Sequence, residues 1–110
     1  MTRSEEFKRV RRTGKSFAHP LLVLYFMHTE KIDVHVGVSA GLAVGNAVER
    51  NRAKRLLREA MNSILPMTKP GSQVVLIARP ALAVATLQET HAALSSLMDR
   101  AGLITQNHES

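Results

Sequence analysis

One stretch constrains the fold more than any other, residues 45–65, GNAVERNRAKRLLREAMNSIL. Ala53, Leu56, Leu57, Ala60, Met61, Ile64 and Leu65 recur at i, i+3, i+4, i+7, i+8, i+11 and i+12, which gathers apolar side chains along one side of a helix. A stripe of that length has to be buried, so the rest of the chain must supply a hydrophobic surface for it. At 100° per residue Asn51, Lys54, Arg55, Arg58 and Asn62 fall on the opposite side, with Arg52 at its edge. Asn46 followed three residues later by Glu49 is a capping-box pattern that starts the helix at Ala47, and Pro66 marks its end. Arg50 points toward the apolar side, so its side chain is expected to be constrained on its way to the surface.

A basic helical face is ordinarily a solvated surface. Here almost no acids accompany it: Glu49 is assigned to the cap and Glu59 only flanks the face, so self-neutralising i, i+4 pairs are scarce and about five cations repel one another. A polyanionic partner relieves that repulsion. Residues 1–59 hold 12 Lys+Arg against 6 Asp+Glu, whereas residues 60–110 hold 3 against 3, so the net charge of +6 lies wholly in the first half. One-sided basicity of this kind is the electrostatic footprint of nucleic-acid binding, in which each cation on a phosphate releases condensed counterions. An anionic membrane surface is the competing partner, but the apolar stripe that would insert is needed for the core.

A chain of 110 residues is sized for one hydrophobic core. A single domain over residues 1–103 is expected, with 104–110 as a flexible tail. There is no cysteine, which excludes disulfides, thiolate metal sites and a thiol nucleophile. The charged N-terminal stretch lacks the apolar run of a signal peptide, and no apolar stretch is long enough to span a bilayer. A soluble, cytoplasmic protein is expected, with no small-molecule substrate.

In chain order, Ser4 precedes Glu5 and Glu6, Phe7 and Val10 follow three apart, and Gly14 closes a short first helix crowded with Arg3, Lys8, Arg9, Arg11, Arg12 and Lys15. Residues 21–28, LLVLYFMH, read as a strand apolar on both faces, with Leu21, Val23, Tyr25 and Met27 on one and Leu22, Leu24 and Phe26 on the other. Residues 16–18 add a short strand. After a polar turn at 29–33, Val34, Val36 and Val38 alternate in a half-buried strand, and the two long strands are expected to pair as a hairpin. QVVLIA is a buried strand expected beside that hairpin. Thr86 and Glu89 repeat the capping box ahead of a third helix with Leu87, His91, Leu94, Leu97, Met98 and Ala101 inward and Gly102 at its end.

The chemistry of a protein enzyme is missing from this pattern. No P-loop, dinucleotide glycines or nucleophile elbow occurs. Glu30, Asp33, His28 and His35 are the best candidates for holding a metal, but they flank one turn on different strand faces and read as a solvated loop. His91 reads as a core histidine, and His19 and His108 sit in loop and tail. No catalytic residue and no metal ligand set is therefore assigned. Phe7, Phe17 and Tyr25 all fall in the basic half, where aromatic rings beside cations can grip single strands by stacking; core packing is an equal reading for Phe7 and Phe17, and the Tyr25 hydroxyl favours a surface cleft.

With these residues in view, GNAVERNRAKRLLREA resembles the signature of the bacterial ribonuclease P protein component, and the likeness continues in EEFKRVRRTGKS at 5–16, VGVS at 36–39, VVLIARP at 74–80 and AGL at 101–103. The resemblance implies an α+β fold, a two-layer α/β sandwich of order αβββαβα with a left-handed βαβ crossover. It implies a non-catalytic subunit of a ribonucleoprotein endoribonuclease whose active site is RNA. That RNA removes the 5′ leader of precursor tRNA with Mg²⁺, and the ion is expected on the RNA without protein ligands. Carried over by position, the catalytic RNA is met by Arg50, Asn51, Arg52, Lys54, Arg55 and Arg58, and the leader by Phe7, Val10, Arg11 and Tyr25. Arg11 stands where the family usually has a second aromatic, trading a stacking surface for a phosphate or cation–π contact. Leu42 and Ala43 stand where it usually has two adjacent lysines, and the basic arm usual before the first helix is nearly absent. The alternative reading is a structural, ribosome-associated RNA-binding protein with no role in cleavage; a metal nuclease acting through the acids of the turn stands behind it.

Overall fold

The structure, a computed structural model, describes residues 3–105, with side chains from residue 7 onward. The long amphipathic helix runs Ala47–Ile64 (α2) and begins where its capping box requires. The Asn46 side chain accepts from the Glu49 N–H at 2.9 Å, and the Asn46 N–H donates to Glu49 Oε1 at 2.9 Å, so two free helix-end donors satisfy each other's residues. Gly45 has φ +147°, and a Cβ there would overlap the Glu49 carboxylate, which ties the Gly-Asn pair and Glu49 into one unit. Six stripe residues from Ala53 to Ile64 are buried. Leu65 is not: it opens the 3₁₀ turn Leu65–Met67, whose tighter winding around Pro66 rotates it outward to 40% exposure.

The stripe lies on a four-stranded sheet of β1 (Lys15–Ala18), β2 (Leu22–His28), β3 (His35–Ala40) and β4 (Ser72–Ala78), in the order β1-β2-β4-β3. The expected β2–β3 hairpin is therefore wrong. β4 lies between them, antiparallel to β2 and parallel to β3, and α2 makes the β3–β4 crossover. The reason is burial. All of β4 except Ile77 is buried, so it needs a strand on each side and a layer on each face, whereas β3, with Val36 37% exposed, tolerates an edge. The observed order αβββαβα is the one the resemblance implies.

Register sorts the side chains. Leu22, Leu24 and Phe26 pair with Ala78, Leu76 and Val74, and these with Ala40, Val38 and Val36, making the face under α2 and α3 (Leu87–Arg100). Leu57, Ile64, Leu94, Leu97 and Met98 fill the space above it and are fully buried. α3 carries the expected Thr86–Glu89 capping box, but its buried stripe is Thr90, Ala93, Leu94, Leu97 and Met98. Leu87 is 43% exposed and His91 half-buried, so the expected core histidine lies at the helix flank. Thr90 goes inward because its hydroxyl donates to the Thr86 carbonyl at 2.8 Å, which removes the penalty of burying it.

The other face carries α1 (Arg3–Thr13), whose first residue precedes the expected cap Ser4. A Cβ on Gly37 of β3 would lie 3.1 Å from Phe7, and one on Gly14 would overlap the Phe26 carbonyl oxygen of β2. The helix thus crosses the strands from the β3 edge toward β2, with Val10 buried between. Gly14 closes it through an N–H bond to the Val10 carbonyl, and its missing Cβ is what permits the close approach. At the other terminus Ile104 bridges to Thr68, and the Thr105 N–H and hydroxyl both donate to the Met67 carbonyl. The rest of the expected tail, residues 106–110, lies outside the described residues.

Candidate nucleic-acid interface

Burial of the α2 stripe turns the opposite side of the helix outward. Asn51, Arg55, Arg58 and Asn62 are exposed and Lys54 half-buried, on successive turns. Among the described residues Arg55 and Arg58 have no hydrogen-bond or ion-pair partner. The helix macrodipole adds positive potential near Asn51. The face presents a row of cations spaced about one turn apart, roughly 5.4 Å, close to the spacing of successive phosphates along a nucleic-acid strand.

Arg50 and Arg52, expected on the same surface, both bond to backbone carbonyls within the fold, Arg50 half-buried and Arg52 still exposed. Arg50 is half-buried, and its Nη1 donates to the Gly45 carbonyl at 3.0 Å, the constraint its position in the stripe implied. The Arg52 Nη1 donates to the Ala83 carbonyl at 2.6 Å and its Nη2 to the Ala85 carbonyl at 2.8 Å, at the end of the 3₁₀ turn Pro80–Val84. No local pattern signals this contact, because its partners lie more than thirty residues further along the chain. Leu42 opens the 3₁₀ turn Leu42–Val44 and is 83% exposed, an uncharged neighbour of the helix start.

Where α1 crosses the β3 edge there is a cleft of about 270 Å³, lined by Phe7, Val10, Gly37, Val75 and Arg58 among others. Two of the four expected leader residues, Phe7 and Val10, are brought together there. The other two lie alongside: Tyr25 pairs in register with Val75, which pairs with Gly37, and the Arg11 guanidinium lies 5.4 Å from the Tyr25 ring centroid. Phe7 and Arg11 are one helical turn apart, so the same side of α1 lays a ring over β3 and a cation over β2. The sequence reading missed Gly37 and the position of Arg58 at the cleft as well as on the basic row. A glycine inside an otherwise alternating strand is a signal for close approach of another group, here Phe7. The reach of Arg58 from the basic row into the cleft depends on how α2 sits over β3.

The rival chemistry finds no constellation. β2 and β3 are separated by β4, so His28 and His35 are not on adjoining strands, and Glu30 and Asp33 are exposed on the connection between them. Among the described residues no group of three or more His, Asp or Glu side chains comes together in a way that could hold a metal ion. No helix among them is long and apolar enough to cross a membrane.

Comparison with known proteins agrees with this geometry. The family model described as Ribonuclease P matches residues 1–102. The ribonuclease P protein component of Exiguobacterium sp. is 37% identical over 101 residues, covering 92% of this chain and 88% of the relative. That of Brevibacillus brevis is 38% identical over 110 residues, covering 96% and 85%. Among solved structures, the Staphylococcus aureus RNase P protein superposes with a TM-score of 0.83 at 24% identity, covering 96% of each chain. The Thermotoga maritima RNase P protein superposes with a TM-score of 0.80 at 22% identity, covering 91% of this chain and 94% of that one. At those identities the two structures speak to the fold alone.

Proposed function

The chain belongs to the ribonuclease P protein family, and from that membership we propose that it binds the catalytic RNA of ribonuclease P and the 5′ leader of precursor tRNA. In this reading the protein promotes Mg²⁺-dependent endonucleolytic removal of the leader and supplies no catalytic group. The outer face of α2, with Asn51, Lys54, Arg55 and Arg58, meets the catalytic RNA. The surface between α1 and the sheet, with Phe7, Val10, Arg11 and Tyr25, holds the single-stranded leader by stacking and phosphate contact. Mg²⁺ stays on RNA oxygens, and the protein acts by screening phosphate repulsion between the two RNAs, which lowers the Mg²⁺ needed.

One observation carries the reading: Arg58 belongs to the exposed row on α2 and also lines the cleft beside Phe7 and Val10. A cation shared by the two surfaces is what a protein needs if it brings a leader and a ribozyme to the same place. The test is cleavage of precursor tRNA at low Mg²⁺ by the same organism's catalytic RNA, with and without the protein, beside a protein-only lane. Mature 5′ ends in the combined lane alone are expected. A protein that adds nothing to the RNA reduces the reading to structural RNA binding, and cleavage by protein alone overturns it.

A further inference from the structure

We propose that Arg52 is a positioning residue that anchors the first turns of α2 to the start of α3, and that it does not serve as a phosphate contact; this rests on the reading of α2 as the RNA-binding helix. The first turns of α2 need such an anchor. None of residues 47–52 is buried, and Val48 is 76% exposed, whereas from Ala53 onward the helix is fastened by its apolar stripe. Hydrophobic burial, which ordinarily fixes an amphipathic helix, is therefore absent from the turns that present Asn51 and lead into Lys54 and Arg55. Three polar devices take its place: the Asn46–Glu49 capping box, the Arg50 bond to Gly45, and the fork of Arg52.

The first two are local and fasten the helix only to the loop that precedes it. Arg52 alone of the three reaches another layer of the fold. Its two terminal nitrogens meet the carbonyls of Ala83 and Ala85, on either side of Val84, and the next residue, Thr86, caps α3. The planar guanidinium suits two carbonyls held a fixed distance apart, and a lysine ammonium does not reproduce that fork. Arg52 stays solvent-exposed, but its Nη1–Nη2 edge is committed to the 83–85 backbone, whereas Arg55 and Arg58 make no such bond. Its contribution to RNA affinity is then geometric, setting where Asn51 and Arg55 stand, and it releases no counterion.

The experiment measures binding of the catalytic RNA over a series of salt concentrations for R52Q, R52K and R55Q, each confirmed folded by circular dichroism. Loss of a phosphate contact flattens the plot of log affinity against log salt by about 0.7–0.9. For R55Q that flattening is expected. For R52Q the slope is expected to stay at the wild-type value while affinity drops by the same factor at every salt concentration, roughly 2- to 30-fold. R52K is expected to bind as R52Q does, although its charge is intact. In the RNA-free protein, amide exchange is expected to quicken in R52K at residues 48–51 and 86–89 together, a readout that holds even if R52Q does not fold. A flattened slope in R52Q with wild-type binding by R52K makes Arg52 a direct contact and overturns the proposal. Wild-type affinity in R52Q, or unchanged exchange in R52K, overturns it as well. An unchanged slope in R55Q brings down the reading of the α2 face itself, a failure distinct from any result at Arg52.

Discussion

Arg58→Gln, compared with Arg55→Gln, tests the division of labour between the two surfaces. Both side chains are exposed on the same row, and among the described residues neither has a partner, so the folded protein loses no internal contact in either variant. Each substitution removes one cation from a polyanion contact, flattening the salt slope for the catalytic RNA by about 0.7–0.9. Between 50 and 200 mM salt, a fourfold change, wild-type affinity is then expected to fall about 3-fold further than that of either variant. The two differ at the cleft, which Arg58 lines and Arg55 does not. A solvent-exposed charge pair there is worth at most about 1 kcal/mol, a factor of about five. The assay is the ratio of holoenzyme affinities for precursor and mature tRNA, which isolates the leader. Arg58→Gln is expected to lower that ratio up to about fivefold and Arg55→Gln to leave it unchanged. Equal effects of the two variants on the ratio refute the shared position of Arg58, and an unchanged salt slope in Arg55→Gln refutes the assignment of the face.

Three further outcomes follow from the packing. Asn46→Ala breaks one half of the capping box and is expected to destabilise the protein by about 1 kcal/mol, lowering the melting temperature by about 4–8 °C in a circular dichroism melt. Leu57→Ala opens a cavity at a side chain with no exposed surface, and a loss of about 2–5 kcal/mol is expected in urea titration; a smaller loss means the α2–sheet contact closes around the gap. Gly37→Val places methyl groups where Phe7 lies 3.1 Å from the built Cβ, and it is expected to weaken leader discrimination while leaving the salt slope for catalytic RNA unchanged. Intact discrimination in that variant removes Phe7 from the leader surface.

The Arg11–Tyr25 pair sets a cation against an aromatic ring beside the α1 cleft. A guanidinium 5.4 Å from the ring centroid occupies one face of the tyrosine, yet its own outer face is flat and its edges carry N–H donors. Under the proposed function, a leader nucleotide meets a cation backed by a ring in place of a second bare ring. Grip at this position then gains a phosphate-directed component.

What was legible from residues alone was everything set by local periodicity and local hydrogen bonds. The α2 stripe, its capping box and its basic row follow from spacings of three and four residues, and so does the cap of α3. The doubly apolar character of β2 follows from alternation, and it already required layers on both sides of the sheet. The family resemblance was legible too, because its motif lies within one contiguous helix. Only the tertiary structure decided which strand sits in the middle. A short connection at 29–33 is compatible with a hairpin, and the competition was won by β4, whose burial on both faces is a property of the whole core. It also decided which exposed arginines are tied to the backbone of a distant segment. Arg52 and Arg55 are both exposed cations near the same helical surface, yet one bonds the carbonyls of Ala83 and Ala85 and the other meets solvent alone. Helical periodicity assigns a direction from the axis; what stands in that direction depends on where a distant segment of chain comes to rest.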